Sequence, residues 1–145
     1  MYHRLLAAVD TGDRAAIAAE HAISLAAVDD SALEFLYVVD VRPVYSRYGL
    51  ASLPSEEEIA HERNRGEEFL RRFVSEAADA GVSATSTVTR GTPHRRITEH
   101  AAEIDADAVV IGRPQARTFT RIVGVSTTDR VVRNADCTVI VAREF

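Results

Sequence analysis

Short apolar blocks alternate with stretches of helical spacing along the chain, and this alternation predicts an α/β protein. Leu5-Leu6-Ala7-Ala8-Val9 is an unbroken apolar run closed by Asp10, the pattern of a strand buried on both faces of a sheet. Thr11-Gly12-Asp13 reads as a loop with Asp13 placed to cap a helix. Ala15, Ile17, Ala18, Ala22 and Leu25 then recur on one helical face. A second strand is predicted over residues 33–39, after the turn at Asp29-Asp30-Ser31. Residues 41–54 hold Pro43, Gly49 and Pro54 and read as a long loop carrying Tyr45 and Tyr48.

Ser55 followed by Glu58 is a capping box. The helix it opens carries Ile59, Phe69, Leu70, Phe73 and Ala77 on one face and stops at Gly81. Residues 82–88 alternate like a half-exposed strand rich in β-branched side chains. Thr92-Pro93 opens a further helix with Ile97, Ala101 and Ile104 on its buried face. Residues 108–111 form a fourth strand ending at Gly112; residues 126–133 form a short helix and residues 138–142 a last strand. Strands alternating with helices imply a parallel sheet covered on both faces. In such sheets ligands sit beyond the carboxyl ends of the strands, where strand order reverses. Asp10, Asp40 and the loop after Gly112 fall at those ends.

Composition narrows the chemistry. The 145 residues suit one domain, residues 1–145, able to bury a core without disulfides or metals. A lone cysteine, Cys137, leaves no disulfide framework and reads as a buried, inert thiol. No secretory leader is evident, and no apolar run approaches the ~18 residues of a membrane span. The expectation is a cytoplasmic protein with no membrane partner. The net charge of −5 disfavours nucleic acid as a partner. All 17 basic residues are arginine, which removes every mechanism that needs a lysine, among them Schiff bases and P-loops. His3, His21, His61, His94 and His100 lack ligand spacing, so no metal site is expected. Neither a G-x-S-x-G elbow nor a Cys-His motif suggests a nucleophile.

Three segments resemble the universal stress protein family. They are Leu5 to Asp10 with Thr11-Gly12; Leu36-Tyr37-Val38-Val39-Asp40; and the tail carrying Gly91-Thr92-Pro93, Asp107-Ala108-Val109-Val110-Ile111-Gly112, Ser126, Arg130-Val131-Val132-Arg133 and Cys137-Thr138-Val139-Ile140-Val141. The resemblance covers nearly the whole chain. It implies a Rossmann-like three-layer α/β/α fold of the adenine nucleotide alpha hydrolase-like type, with a five-stranded parallel sheet in the order 3-2-1-4-5. It also implies a stress-response regulatory or binding protein, rather than an enzyme, that binds ATP or AMP, with magnesium only alongside the nucleotide. A homodimer through the strand Thr138–Ala142 and an unidentified regulatory protein partner complete the expectation.

Nucleotide-binding members of the family carry G-x-x-G, nine residues, then G-[ST]. Here Gly112 and Ser126 match, while Gln115 and Val125 stand where glycines belong and Gly124 falls one residue early. By the resemblance, Asp10 and Val38 together hold the adenine and ribose, Ala8 replaces a frequent proline, and Ser126, Thr127 and Thr128 face phosphate; Asp10 reads alternatively as a strand terminator that accepts loop N–H bonds. The missing glycines weaken a backbone phosphate cradle, at about 1–3 kcal/mol of strain per position. Between Asp107 and Asp129 the only charged residues are Arg113, Arg117 and Arg121. They read either as a guanidinium clamp on phosphate or as a solvated loop. Ser126 with Asp129 also reads as a helix cap, and Asp40 as a turn residue. Tyr45 and Tyr48 either cover a base or pack locally. The alternative functions are a partner-binding member that takes no nucleotide and, more remotely, a slow ATPase.

Overall fold

The computed structural model describes residues 1–10, 15–45, 48–113 and 126–144. Strands β1 (Arg4–Val9), β2 (Ala32–Asp40), β5 (Ala84–Gly91), β6 (Ala108–Gly112) and β7 (Thr138–Ala142) form one sheet. Helices α1 (Ala15–Asp29), α2 (Glu56–Asp79), α3 (Pro93–Glu103) and α4 (Thr127–Asn134) connect them. Two-residue strands β3 (Val44–Tyr45) and β4 (Ala51–Ser52) pair antiparallel as a small hairpin. The long loop expected over residues 41–54 is thus partly ordered, a correction that no apolar alternation announces.

The sheet runs β5-β2-β1-β6-β7 and every pairing is parallel. Counting only its own five strands in chain order, this is 3-2-1-4-5; the hairpin merely shifts the labels. The chain starts at the centre, builds outward through β2 to β5, then returns to build β6 and β7 on the other side. The switch point falls between β1 and β6, where Ala8 lies in register with Ile111.

Alternation along β1 divides the core. Leu5, Ala7 and Val9 face α1 and α2 with Leu33, Phe35, Tyr37, Val110, Ile23, Leu70 and Phe73. Leu6 and Ala8 face α3 and α4 with Leu36, Val109, Ile111, Ile97, Ala101 and Val131.

The expected capping box is present. Ser55 Oγ accepts from Glu58 N–H at 3.1 Å, and Glu58 Oε1 accepts from Ser55 N–H at 3.2 Å. At the other end of α2, Gly81 takes φ +77°, Gly81 N–H donates to Ala78 O at 3.0 Å and Val82 N–H to Ala77 O at 2.8 Å. This double closure is the Schellman pattern. It explains why the third sheet strand begins at Ala84 and not at residue 82: Val82 is buried as part of the helix stop. The strand then runs on to Gly91. Asp13, expected to cap α1, lies outside the described residues.

Candidate functional site

The carboxyl ends of the central strands open into a crevice of about 480 Å³. β1 reaches it with Ala8, Val9 and Asp10, β2 with Val38 and Asp40, and β6 with Ile111 and Gly112. Pro93 and Ile97 of α3 and Ser126, Thr127 and Thr128 at the start of α4 complete one wall. Of the ten residues singled out in the sequence, Ala8, Asp10, Val38, Gly112, Arg113, Ser126, Thr127 and Thr128 line this single crevice. Gln115 and Val125 lie outside the described residues, as do Arg117, Arg121 and Gly124.

Each placement has a local cause. Ser126 caps α4: its Oγ accepts from Asp129 N–H at 3.1 Å and donates to Asp129 Oδ2 at 2.9 Å. Thr128 is buried and donates from Oγ1 to Gly112 O at 2.8 Å. That bond ties the first turn of α4 to the end of β6, so this hydroxyl's proton is already committed to the fold. Arg113 N–H donates to Ala142 O at 3.0 Å, fixing its main chain against the end of β7. Its Nε is buried without a hydrogen-bond partner. Among the described residues, the only other buried side-chain atom of this kind is His94 Nδ1, one residue from Pro93 in the wall. Buried polar atoms are almost always satisfied.

The sequence left four charged lining residues unremarked: Arg42, Glu62, Arg143 and Glu144. Arg42 donates to Asp40 from Nε at 2.9 Å and from its terminal nitrogen at 2.6 Å. Asp40 also accepts from Arg42 N–H at 3.0 Å, so it is the turn residue expected and lines the crevice as well. Glu62, on α2, accepts from Tyr37 Oη at 3.0 Å. No motif marks Glu62; only its place on the inner face of a long amphipathic helix could have suggested it. Tyr45 and Tyr48 are 60% and 80% exposed and do not line the crevice.

Burial first, then Arg130, Arg95 and Arg42, lower the pKa of His94 below its ordinary value. Cys137 is half-buried, a correction to the buried thiol expected, and burial pushes its pKa up. Among the described residues no group of three His, Cys, Asp or Glu side chains could hold a metal ion. None of their helices is long and apolar enough to cross a membrane.

A parallel sheet with a lined crevice at its switch point defines an α/β protein of the Rossmann-like class. The sequence model of the universal stress protein family matches residues 1–143. A universal stress protein of Methanocaldococcus jannaschii is 32% identical over 145 residues, covering 99% of this chain and 84% of the relative. The solved universal stress protein UspA of Lactobacillus plantarum superposes with a TM-score of 0.81 at 26% identity, covering 98% of each chain. A universal stress protein of Archaeoglobus fulgidus in complex with dAMP superposes with a TM-score of 0.68 at 22% identity, over 98% of each chain. The chain belongs to the universal stress protein family.

Proposed function

We propose that this universal stress protein is a regulatory binding protein that takes an adenine nucleotide, AMP or ATP, in the crevice at the sheet's switch point. The observation that carries this reading is the buried, unpartnered Nε of Arg113 in a crevice that sets apolar walls beside charged and hydroxyl-bearing side chains. Ala8, Val38, Ile97 and Ile111 offer the flat apolar walls a purine needs. Asp10, at the end of β1, is placed to accept from ribose hydroxyls. The guanidinium of Arg113 and the start of α4 offer donors to phosphate. The dAMP complex of the Archaeoglobus relative supports the same assignment. Magnesium would enter only together with the nucleotide.

Nothing in this constellation is arranged to attack a phosphate, so we assign binding and not turnover. β7 lies at the edge of the sheet with Val141 42% exposed. That free edge supports a homodimer built by β7 against β7, with a regulatory protein as the further partner. A second reading, partner binding without any nucleotide, is favoured by Gln115 and Val125 in the glycine positions of the family loop.

Isothermal titration decides between them. Saturable heat with AMP or ATP at up to millimolar concentration, abolished or weakened at least tenfold by Asp10→Ala, is the expected result. No heat and no thermal shift with either nucleotide leaves the partner-only reading.

A further inference from the structure

We propose that the free edge of β5 is a docking edge for an extended, acidic segment of a partner protein, which adds to the sheet as a further strand. β5 lies at the opposite side of the sheet from β7. The proposal is therefore independent of the nucleotide crevice and of pairing through β7.

The main chain of β5 is open to pairing along its length. It pairs with β2 in unbroken register from Ala84 to Gly91, and among the described residues no strand lies on its other side. Leu33 N–H donates to Ser83 O at 3.3 Å and Val41 N–H to Gly91 O at 3.5 Å. Odd-numbered residues of this segment thus turn their carbonyls toward β2. Direction alternates along a strand, so Ala84, Ser86, Val88 and Arg90 present N–H and C=O outward. Free edges are ordinarily blunted by shortness, charge, proline or a bulge. β5 runs for eight residues, and Ala84 to Thr89 carries none of these devices.

A groove of about 310 Å³ runs beside this edge, between Ser86 and Val88 of β5 and Arg63, Glu67, Arg71 and Val74 of α2. Alternate side chains of an added strand point into such a groove. Strand addition takes its affinity from main-chain bonds and its specificity from the places where those side chains sit.

Charge selects the occupant. Glu67 is paired with Arg63 at 3.7 Å, and the neighbouring Arg65 and Arg72 pair with Glu62 and Glu76. Among the described residues Arg71 has no acidic partner. On a chain of net charge −5, the groove therefore holds an unanswered cation. Arg63 and Arg71 are separated by roughly 12 Å along the helix. Side chains four residues apart on one face of a strand are separated by roughly 13 Å. An extended segment with carboxylates at that spacing meets both guanidinium groups, whose forks suit carboxylate oxygens. A second copy of this chain fits less well. Its two edge strands, Ala84–Gly91 and Thr138–Ala142, contain no acidic residue.

The test uses the full chain and a labelled peptide with blocked ends, Thr-Thr-Glu-Val-Thr-Val-Glu-Thr-Thr, beside its counterpart with lysine at both glutamates. Binding is read by fluorescence anisotropy and by amide NMR. The glutamate peptide is expected to bind roughly tenfold or more tightly than the lysine peptide, the scale of a charge-assisted pair, and to shift the amides of Ser86 and Val88. Ser86→Pro removes one outward N–H and leaves the bonds to β2 in place. It should weaken the glutamate peptide by about tenfold or more. Arg71→Glu should weaken it similarly and reverse the preference toward the lysine peptide. Three results overturn the proposal: no binding of either peptide at millimolar concentration, equal binding of the two, or undiminished binding of the glutamate peptide to Arg71→Glu. An oligomer seen by light scattering and reduced by Ser86→Pro overturns it as well, because the edge then belongs to a second copy. Arg71 is exposed, so its reversal and the two peptides on the parent protein decide the matter even where Ser86→Pro folds poorly.

Discussion

The two faces of the sheet are built differently. Against α1 and α2 the core is deep and aromatic. Phe35 and Phe73 meet with ring centroids 5.8 Å apart, and Phe69 stacks on Phe73 at 6.5 Å. Against α3 and α4 the buried side chains are Leu6, Ala8, Leu36, Ile97, Ala101, Val109, Ile111 and Val131, with no aromatic ring. That thinner face is pinned by polar contacts instead: Thr128 to Gly112, and His100 of α3 to Glu34 of β2, which also accepts from Thr85 at 3.2 Å and Thr87 at 3.3 Å. The difference separates two tasks. Dispersion and apolar burial on the thick face hold the sheet together. Directional bonds on the thin face tie the last turn of α3 to β2 and the first turn of α4 to β6, and that first turn of α4 forms part of a wall of the crevice.

Truncations on the two faces should therefore differ in kind. Phe73 is fully buried, and Phe73→Ala is expected to cost about 3–5 kcal/mol by chemical denaturation. In whatever fraction remains folded, nucleotide affinity should be nearly unchanged. Val131 is also fully buried, but Val131→Ala removes only two methyl groups and should cost about 1–2 kcal/mol. Because Val131 seats the helix that begins at the crevice, its truncation should weaken AMP binding several-fold. A larger stability loss at Val131 than at Phe73, or ligand loss confined to Phe73→Ala, would collapse the distinction.

A glycine on the thick face sharpens it. Gly66 sits inside α2, where alanine is normally better by about 1 kcal/mol. Here a β-carbon would lie 2.3 Å from Cδ1 of Tyr37. Tyr37 cannot simply swing away, because its hydroxyl donates to Glu62 and its ring is buried. Overpacking of this type costs about 1–3 kcal/mol, so Gly66→Ala should lose about 1–2 kcal/mol net, read as a lowered Tm. Combined with Tyr37→Ala, the same change should become neutral or stabilising. If Gly66→Ala raises Tm on its own, the close approach of Tyr37 is not what keeps a glycine at this position.

The fold was readable because its signals are local. The unbroken apolar runs at β1 and β6, the capping box at Ser55 and the stop at Gly81 each dictate an element without reference to the rest of the chain. Where a residue serves two elements, the sequence misled: Val82 has a strand-like side chain but is spent on closing α2. The site was readable only where the residues sit at strand ends or in a family motif, as Asp10, Gly112 and Ser126 do. Glu62 and Arg143 arrive from elements whose contribution depends on tertiary packing. The commitments of Ser126 and Thr128 to capping and to Gly112 O are likewise set by distance and not by residue type.

The smallest expected effect concerns the start of β1, which each face secures with one aspartate. From the thick face, Asp29 at the end of α1 accepts from Tyr2 N–H at 3.0 Å. From the thin face, Asp107 accepts from His3 N–H at 2.6 Å and Arg4 N–H at 2.8 Å. These main-chain donors lower the pKa of both carboxyls, chiefly Tyr2 for Asp29 and Arg4 for Asp107. A carboxyl whose pKa is lowered on folding stabilises fully above its unfolded value, near 3.9. The contribution is lost as pH falls through the lower folded value, where the unfolded chain binds the proton more readily. Urea midpoints followed from pH 6 to pH 3 should therefore drop below about pH 4. Asp107→Asn should flatten that drop more than Asp29→Asn, because its carboxylate collects two main-chain donors against one. Equal flattening would mean that both faces hold the first strand alike, and that their difference is confined to the core and the crevice.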